Sequence, residues 1–170
     1  MLIAHWPLEG NAKDEVYGNY NGTEIGGVSY GDGILGDCYD NTSGSGTGIQ
    51  LMEHADARKF ENVFSWSLWF KSTTTNGGSY ERVISRDLSE YMAMAIDQTQ
   101  SGSQNIRGTG GSAQVNEWHH WAYVHESDRS YRTYLDGQQI SSGSEAKSGA
   151  SKPWVIGGNT ERDGDISGNH

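Results

Sequence analysis

Three oxygen-bearing side chains near the N-terminus have the types and spacing of a cation site. Asp14, Asn19 and Asn21 lie in one loop that also contains Gly18 and Gly22. Calcium takes about six to eight oxygen ligands, and a carboxylate, amide side chains and the carbonyls of a kinked loop supply them. The sequence therefore predicts a calcium site at Asp14, Asn19 and Asn21, with Glu9 as an outside candidate. The alternative is a turn in which Asn and Gly serve the backbone alone.

A second chemical pattern is an aromatic residue on a polar strand face. Trp69 shares one strand face with Ser65, Ser67 and Lys71, and such a ring can stack on the apolar face of a sugar. Another candidate is the alternating face of residues 119, 121, 123 and 125. Arg side chains nearby in strand order can donate to sugar hydroxyls. The predicted ligand-binding residues are Trp69, Trp121, Tyr123, Arg82 and Arg86. Structural packing of Trp69 or Trp121 is the alternative.

The sequence contains no arrangement of histidines or carboxylates that is typical of a catalytic site. His119 and His120 are adjacent on a strand and point to opposite faces, so they cannot chelate one ion together. Glycoside cleavage needs two carboxyl groups about 5 to 9 Å apart, whereas Glu81, Asp87 and Glu90 fall at strand ends and in a turn. We expect no catalytic residue and no enzyme activity.

Composition narrows the class of partner. The chain has 170 residues, which suits a single domain spanning 1–170, and a formal net charge of −10. That charge disfavours nucleic acid and anionic membranes as partners. Cys38 is the single cysteine, and the start lacks the basic and apolar regions of a secretory signal. These features predict folding in a reducing cytosol or prior removal of a signal. We expect an extracellular or virion-surface location and no membrane insertion.

The elements that must carry these residues are short strands. The segment 64–71 has the clearest period of two, with Phe64, Trp66, Leu68 and Phe70 on one face. Further strands are predicted at 3–8, 23–30, 35–40, 48–51, 82–86, 91–96, 116–125, 131–140 and 153–159. A single helical turn is predicted at 54–60. Asp136-Gly137 suits the positive φ angles of a tight hairpin. Together these segments predict an all-β fold of about ten to twelve strands.

Several stretches together resemble one family. Trp118 to Val124 followed by Thr133 to Gln138 is similar to the late hairpin of the laminin-G-like, concanavalin A-like jelly-roll domains. The opening Trp6–Thr23, the Gly33–Tyr39 step, the aromatic strand 64–71 and the segment 154–159 match the same pattern in order. The resemblance covers nearly the whole chain. It implies a two-sheet antiparallel jelly-roll sandwich, and a structural calcium near the opening loop.

The resemblance also exposes a departure at the C-terminus. Domains of this type usually close with a strand carrying Gly-x-Ile-Asp-Asp/Glu, and this strand is expected just beyond Asp163–His170. Its absence predicts truncation or cleavage, donation of a strand by a partner chain, or an unusual position for that strand. The calcium carboxylate that this strand contributes in the family is also missing.

The resulting functional prediction is a non-catalytic recognition module. It would bind a surface glycan or host receptor, as a lectin-like adhesion module of a phage tail or capsid. The first alternative is a structural protein that assembles with copies of itself, as a homo-oligomer or through strand exchange. The second alternative is a polysaccharide-cleaving enzyme.

Overall fold

The structure is a computed structural model that describes most of the chain. The described residues are 1–41, 46–51, 63–72, 80–85, 94–97, 103–106, 111–144, 153–157, 159–160 and 166–167. Within these ranges the secondary structure is fifteen strands without a helix. No described segment forms an apolar helix of membrane-spanning length.

The strands are short and follow one another closely. They are β1 Thr23–Ile25, β2 Ser29–Asp32, β3 Asp37–Asp40, β4 Gly48–Gln50, β5 Phe64–Phe70, β6 Tyr80–Ser85, β7 Met94–Asp97, β8 Ser103–Ile106, β9 Ser112–Gln114, β10 His119–His125, β11 Ser130–Leu135, β12 Gln138–Ser144, β13 Val155–Ile156, β14 Asn159–Thr160 and β15 Ile166–Ser167. The all-β prediction is confirmed.

Two antiparallel sheets form the sandwich. One sheet has the strand order β1-β4-β13-β6-β7-β8-β9, and the other has the order β12-β11-β10-β5. Two small ladders, β2-β3 and β14-β15, complete the described pairings. In the larger sheet β6, β7, β8 and β9 are neighbours in chain order, whereas β1, β4, β13 and β6 are brought together by long crossover connections, which agrees with the jelly-roll prediction. The last described strand, β15, pairs with β14. The expectation of a closing strand beyond residue 170 stays a prediction.

A single aromatic-rich core joins the two large sheets. From the four-stranded sheet, Phe64 and Trp66 meet Trp154, with ring centroids 5.8 and 6.4 Å apart. Ile49 and Val155 from the larger sheet are fully buried. Aromatic rings supply the bulk that aliphatic residues provide in most cores, which explains how a chain with only 34% hydrophobic residues closes a sandwich.

The hairpin between β11 and β12 has the predicted turn. Asp136 and Gly137 have φ angles of 49° and 79°, the left-handed pair that a two-residue hairpin needs. The Asp136 amide donates to the carbonyl of His120 at 2.8 Å, so the turn is also held to the start of β10.

The predicted first strand, residues 3–8, is wrong. These residues form no strand, because Pro7 lacks an N–H and Leu8 has a φ of 65°. The segment is held instead by the Trp6 indole N–H, which donates to the carbonyl of Tyr20 at 2.7 Å. The predicted helical turn at 54–60 lies outside the described residues.

Candidate functional site

The four-stranded sheet separates the aromatic residues into two groups. Along β10 the side chains alternate between buried and half-buried positions, starting with buried His119 and half-buried His120. β5 pairs with β10 in a register that places Trp69 opposite His120 and Ser67 opposite Ala122. On the other side of β10, Tyr134 of β11 also lies opposite Ala122. One face of the sheet is therefore core, and the other is formed by polar and aromatic side chains.

We call this second surface the outer face. Its members are Ser65, Ser67, Trp69, His120, Ala122, Val124, Arg132 and Tyr134. Trp69 is 51% exposed, which is unusual for an indole on a regular strand. The remaining members are small, polar or half-buried, so they leave the Trp69 ring accessible among the described residues. The predicted separation of Trp69 from the core residues of β5 is confirmed.

The Trp69 ring contacts a second aromatic ring, that of His120. Its centroid lies 5.1 Å from that of His120, with the two planes inclined at 55°. Lys71 directly follows β5 and Trp118 directly precedes β10. The Lys71 ammonium lies 5.0 Å from the centre of the Trp118 ring. This contact is a cation–π interaction at the end of the outer face. Together these residues present apolar ring surface beside hydrogen-bonding groups.

Charged groups around the outer face are matched within the chain. The Arg132 guanidinium forms an ion pair with the Glu126 carboxylate. Asp136 Oδ2 lies 2.8 Å from His119 Nδ1, and Asp136 Oδ1 accepts the His120 amide at 2.8 Å. Burial acts to raise the pKa of Asp136, but the bonds from His119 and the His120 amide outweigh it and lower that pKa. Asp136 is thus an ionised anchor for the turn.

Trp121 and Tyr123, predicted to contact a ligand, belong to the core instead. Trp121 is 2% exposed and Tyr123 is 8% exposed. Tyr123 stacks on Trp66 with a centroid distance of 5.5 Å and an interplanar angle of 14°. Because these side chains face the other sheet, a ligand on the outer face cannot reach them. The structure supports the alternative interpretation, in which Trp121 packs the interior.

Of the two predicted arginine ligands, Arg82 lies on β6 and pairs with Ala95 in the seven-stranded sheet, whereas Trp69 lies in the four-stranded sheet. The backbone of Arg82 is therefore in a different sheet from Trp69, and its role as a ligand stays a prediction. Arg86 lies outside the described residues.

In the opening loop, Asp14 is a buried carboxylate that receives backbone hydrogen bonds. Oδ1 accepts the amides of His5 and Val16 at 3.1 and 3.0 Å, and Oδ2 accepts the amide of Tyr20 at 3.4 Å. Burial acts to raise the pKa of Asp14, yet these amides and that of Tyr17 hold it below the ordinary value of 3.8. Asp14 therefore fastens the loop to the N-terminal segment.

In the described structure the side-chain oxygens of this loop are not arranged as ligands of a calcium ion. Asn21 Oδ1 accepts the Asp14 amide at 2.9 Å, and Asn19 is exposed. Amide hydrogens thus point at oxygens that a cation would need. Among the described residues no group of three or more His, Cys, Asp or Glu side chains could hold a metal ion. The sequence-based expectation of calcium at Asp14, Asn19 and Asn21 is thus opposed by the backbone amides that donate to the oxygens of Asp14 and Asn21, and titration with calcium tests it.

His120 and Tyr134 belong to the outer face but were not predicted as site residues. The alternation along β10 shows two faces without showing which one meets solvent. The signal that could have found them is the position of Trp69: once β5 is paired with β10, its register places His120 beside Trp69 and Tyr134 one row away.

The fold is a two-sheet antiparallel jelly-roll sandwich with one exposed aromatic residue on its outer face. A family model for the concanavalin A-like lectin/glucanases superfamily, Laminin_G_3, matches residues 43–169. The chain belongs to this family, and the resemblance noted from the sequence is confirmed. No curated protein sequence matches the chain.

Solved structures share the architecture. Domain 4 of AbnA, a GH43 extracellular arabinanase from Geobacillus stearothermophilus solved in complex with arabinotriose, matches with a TM-score of 0.64 and 20% identity, over 98% of this chain and 87% of that one. The binding domain of Paraclostridial Mosquitocidal Protein 1 matches with a TM-score of 0.57 and 16% identity, over 92% of this chain and 45% of that one. At these identities the likeness shows the fold.

Proposed function

We propose that the chain is a non-catalytic carbohydrate-binding module whose glycan lies on the outer face. The observation that carries this proposal is the 51% exposure of Trp69 on a regular strand of that face. A flat indole offers its surface to the apolar C–H side of a sugar ring, and nearby polar groups select its hydroxyls. His120 lies opposite Trp69, and Ser67 lies two residues before it on the same face of β5, so both can form hydrogen bonds with a sugar stacked on the ring.

The likeness to domain 4 of the arabinanase supports the same class of ligand. That domain was solved with arabinotriose, so a domain of this fold holds a short neutral glycan. In the present chain, the carboxylates nearest the outer face are tied to other side chains, Glu126 to Arg132 and Asp136 to His119. Glycoside cleavage needs a pair of carboxyl groups that flank the bond, and the outer-face residues themselves include neither Asp nor Glu, so binding without cleavage is the proposed activity.

For the biological setting, the proposal keeps the sequence-based prediction. The glycan would belong to a cell surface or a host receptor, with the module on an extracellular protein or a virion component such as a phage tail or capsid. The virion setting follows from the sequence reasoning alone and assigns no additional residue to the site.

A glycan array tests the binding proposal directly. The purified chain should bind selected glycans, and Trp69→Ala should weaken that binding by at least about tenfold, the equivalent of one lost stacking contact. Because Trp69 is exposed, its removal should leave thermal stability almost unchanged. Tyr17→Ala is the matched control, since Tyr17 is 61% exposed in the opening loop and away from the sheet.

Three results would overturn the proposal. Equal loss of binding in the Trp69 and Tyr17 variants would show that the outer face is not the site. A folded chain that binds no glycan but forms a defined oligomer by light scattering would favour the alternative of a self-assembling structural protein. Release of reducing ends from a bound polysaccharide would favour an enzyme.

A further inference from the structure

We propose that the outer face is an extended track for an uncharged oligosaccharide of at least three sugar units, with Trp69 and Tyr134 as separate stacking platforms. This inference rests on the proposed function, because it requires that a glycan binds this face. It adds the size of the ligand, its charge class and a second binding residue.

The spacing of the two aromatic residues sets the minimum length. Trp69 on β5 and Tyr134 on β11 are separated by the strand β10, and by one two-residue step along the sheet. Two strand spacings of about 4.8 Å and one step of about 7 Å put their Cα atoms about 12 Å apart. A sugar unit in a glycan chain extends roughly as far as one strand spacing, so a single unit cannot reach both rings.

The surface between the platforms is low enough for a glycan to cross it. Tyr134 shares its row with Ala122 and Ser67, two small side chains, and the neighbouring row holds Trp69 and His120. Ser67 is exposed and offers a hydroxyl to the passing sugar. A larger residue at either position would stand between the two rings and break the track.

An irregularity in the sheet keeps the surroundings of Tyr134 polar. The pairing of β11 with β12 shifts between Thr133 and Tyr134, so that Tyr134 lies opposite Gln139 rather than Ile140. Ile140 packs against the core. Without this bulge, a regular register would place Ile140 beside Tyr134 on the outer face. The bulge therefore gives the second platform an amide neighbour that can bond to sugar hydroxyls.

Charge complementarity identifies an uncharged ligand. Arg132 forms an ion pair with Glu126, the ionised Asp136 accepts hydrogen bonds from His119 and the His120 amide, and Lys71 lies over Trp118. An acidic glycan would find no described cation of the outer face without a partner, and a basic one would meet no such anion. A neutral polyol needs only rings, hydroxyls and amides, which this face provides.

Calorimetry with a graded panel tests the inference. The probes are arabinose, arabinotriose and arabinohexaose, matching series from xylan and mannan, and trigalacturonic acid as the charged member. A neutral trisaccharide should bind at least about tenfold more tightly than its monosaccharide, since it gains a second stacking contact. Trigalacturonic acid should bind no better than the neutral monosaccharides.

Variants separate the second platform from the first. Tyr134→Ala should remove the gain from monosaccharide to trisaccharide while retaining monosaccharide binding, and Tyr134→Phe should keep that gain. Trp69→Ala should weaken every member of a neutral series. Circular dichroism melts of each variant confirm that the fold is intact.

The outcomes distinguish the two proposals. Binding that requires Trp69 but does not grow with chain length, or a Tyr134→Ala variant that keeps the gain, would overturn the track and leave the glycan-binding function standing. Preference for trigalacturonic acid would overturn the uncharged class. Absence of binding to the whole panel and to the glycan array would overturn both.

Discussion

The Asp136 carboxylate binds His119 Nδ1 through one oxygen at 2.8 Å and the His120 amide through the other at 2.8 Å. This double contact joins the β11–β12 turn to the first residues of β10. His119 also lies against β9, because its Nε2 accepts the Gln114 amide at 3.0 Å. Strand β9 of one sheet, strand β10 of the other and the β11–β12 turn thus meet at one carboxylate–imidazole pair.

Replacing Asp136 with Asn should destabilise the domain without disturbing the turn. Asn tolerates the left-handed φ of 49° at this position, so the hairpin can still form. Asn replaces one of the two accepting oxygens with an NH2 group, which only donates, so one of the two contacts is lost and we expect a loss of about 1 kcal/mol in the free energy of unfolding. Urea titration measures it. Asp32→Asn, at an exposed carboxylate of β2, should cost almost nothing, and equal losses in both variants would contradict the anchoring role.

Asp14→Asn should change how the stability depends on pH. The pKa of Asp14 is lowered below 3.8 in the folded state, against about 3.9 unfolded, so the ionised form favours folding. This contribution is fully present above about pH 4 and is lost as the pH falls through the lower folded-state value. The wild type should therefore exceed the variant by about 2 kcal/mol at neutral pH, and the difference should shrink below pH 4.

Denaturant titrations between pH 7 and pH 2 measure this difference. Glu15→Gln is the control, because Glu15 is an exposed carboxylate in the same loop. A difference between wild type and Asp14→Asn that stays constant down to pH 2 would show that the amide bonds do not depend on the charge of Asp14.

Sequence reasoning predicted local features well and failed where strand order decides. The period of two placed Trp69 opposite to the core residues of β5, because alternation depends only on strand geometry. Asp136-Gly137 was predictable because few dipeptides tolerate two positive φ angles. The sheet that Arg82 joins was not predictable, because nothing in its own strand shows it. Trp121 was misassigned for a similar reason: the alternation along β10 defines two faces, and only the pairing with β5 shows that the face of Trp121 is internal.

Calcium should have little effect on the stability of this domain. The oxygens of Asp14 and Asn21 already accept backbone amides, so a cation would have to displace those bonds before it gained its own. We expect the same melting temperature in millimolar calcium chloride and in EDTA, and no binding heat on titration with calcium. A rise in melting temperature with calcium that Asp14→Asn abolishes would instead establish the predicted site and require the loop to rearrange.

Gly157 follows β13 at a point where the backbone and a neighbouring ring leave no room for a side chain. Its φ is +71°, and an added Cβ would lie 2.2 Å from Tyr39 Cε1. The Tyr39 ring cannot withdraw freely, because its hydroxyl donates to Asn41 Oδ1 at 2.9 Å while the Asn41 amide donates to the Gly157 carbonyl at 3.1 Å. Gly157→Ala should therefore combine backbone strain with overpacking and cost about 2 to 5 kcal/mol of unfolding free energy.

Gly27→Ala separates these two costs. Gly27 has nearly the same φ, +70°, but no described atom lies within 4 Å of the position of its added Cβ. We expect it to lose only the strain of the left-handed conformation, about 1 kcal/mol. When Tyr39→Ala is the reference, adding Gly157→Ala should cost only the backbone strain, since the clashing ring is gone. If Gly157→Ala proved no more costly than Gly27→Ala in urea titration, the close approach of Tyr39 to the end of β13 would not hold in solution.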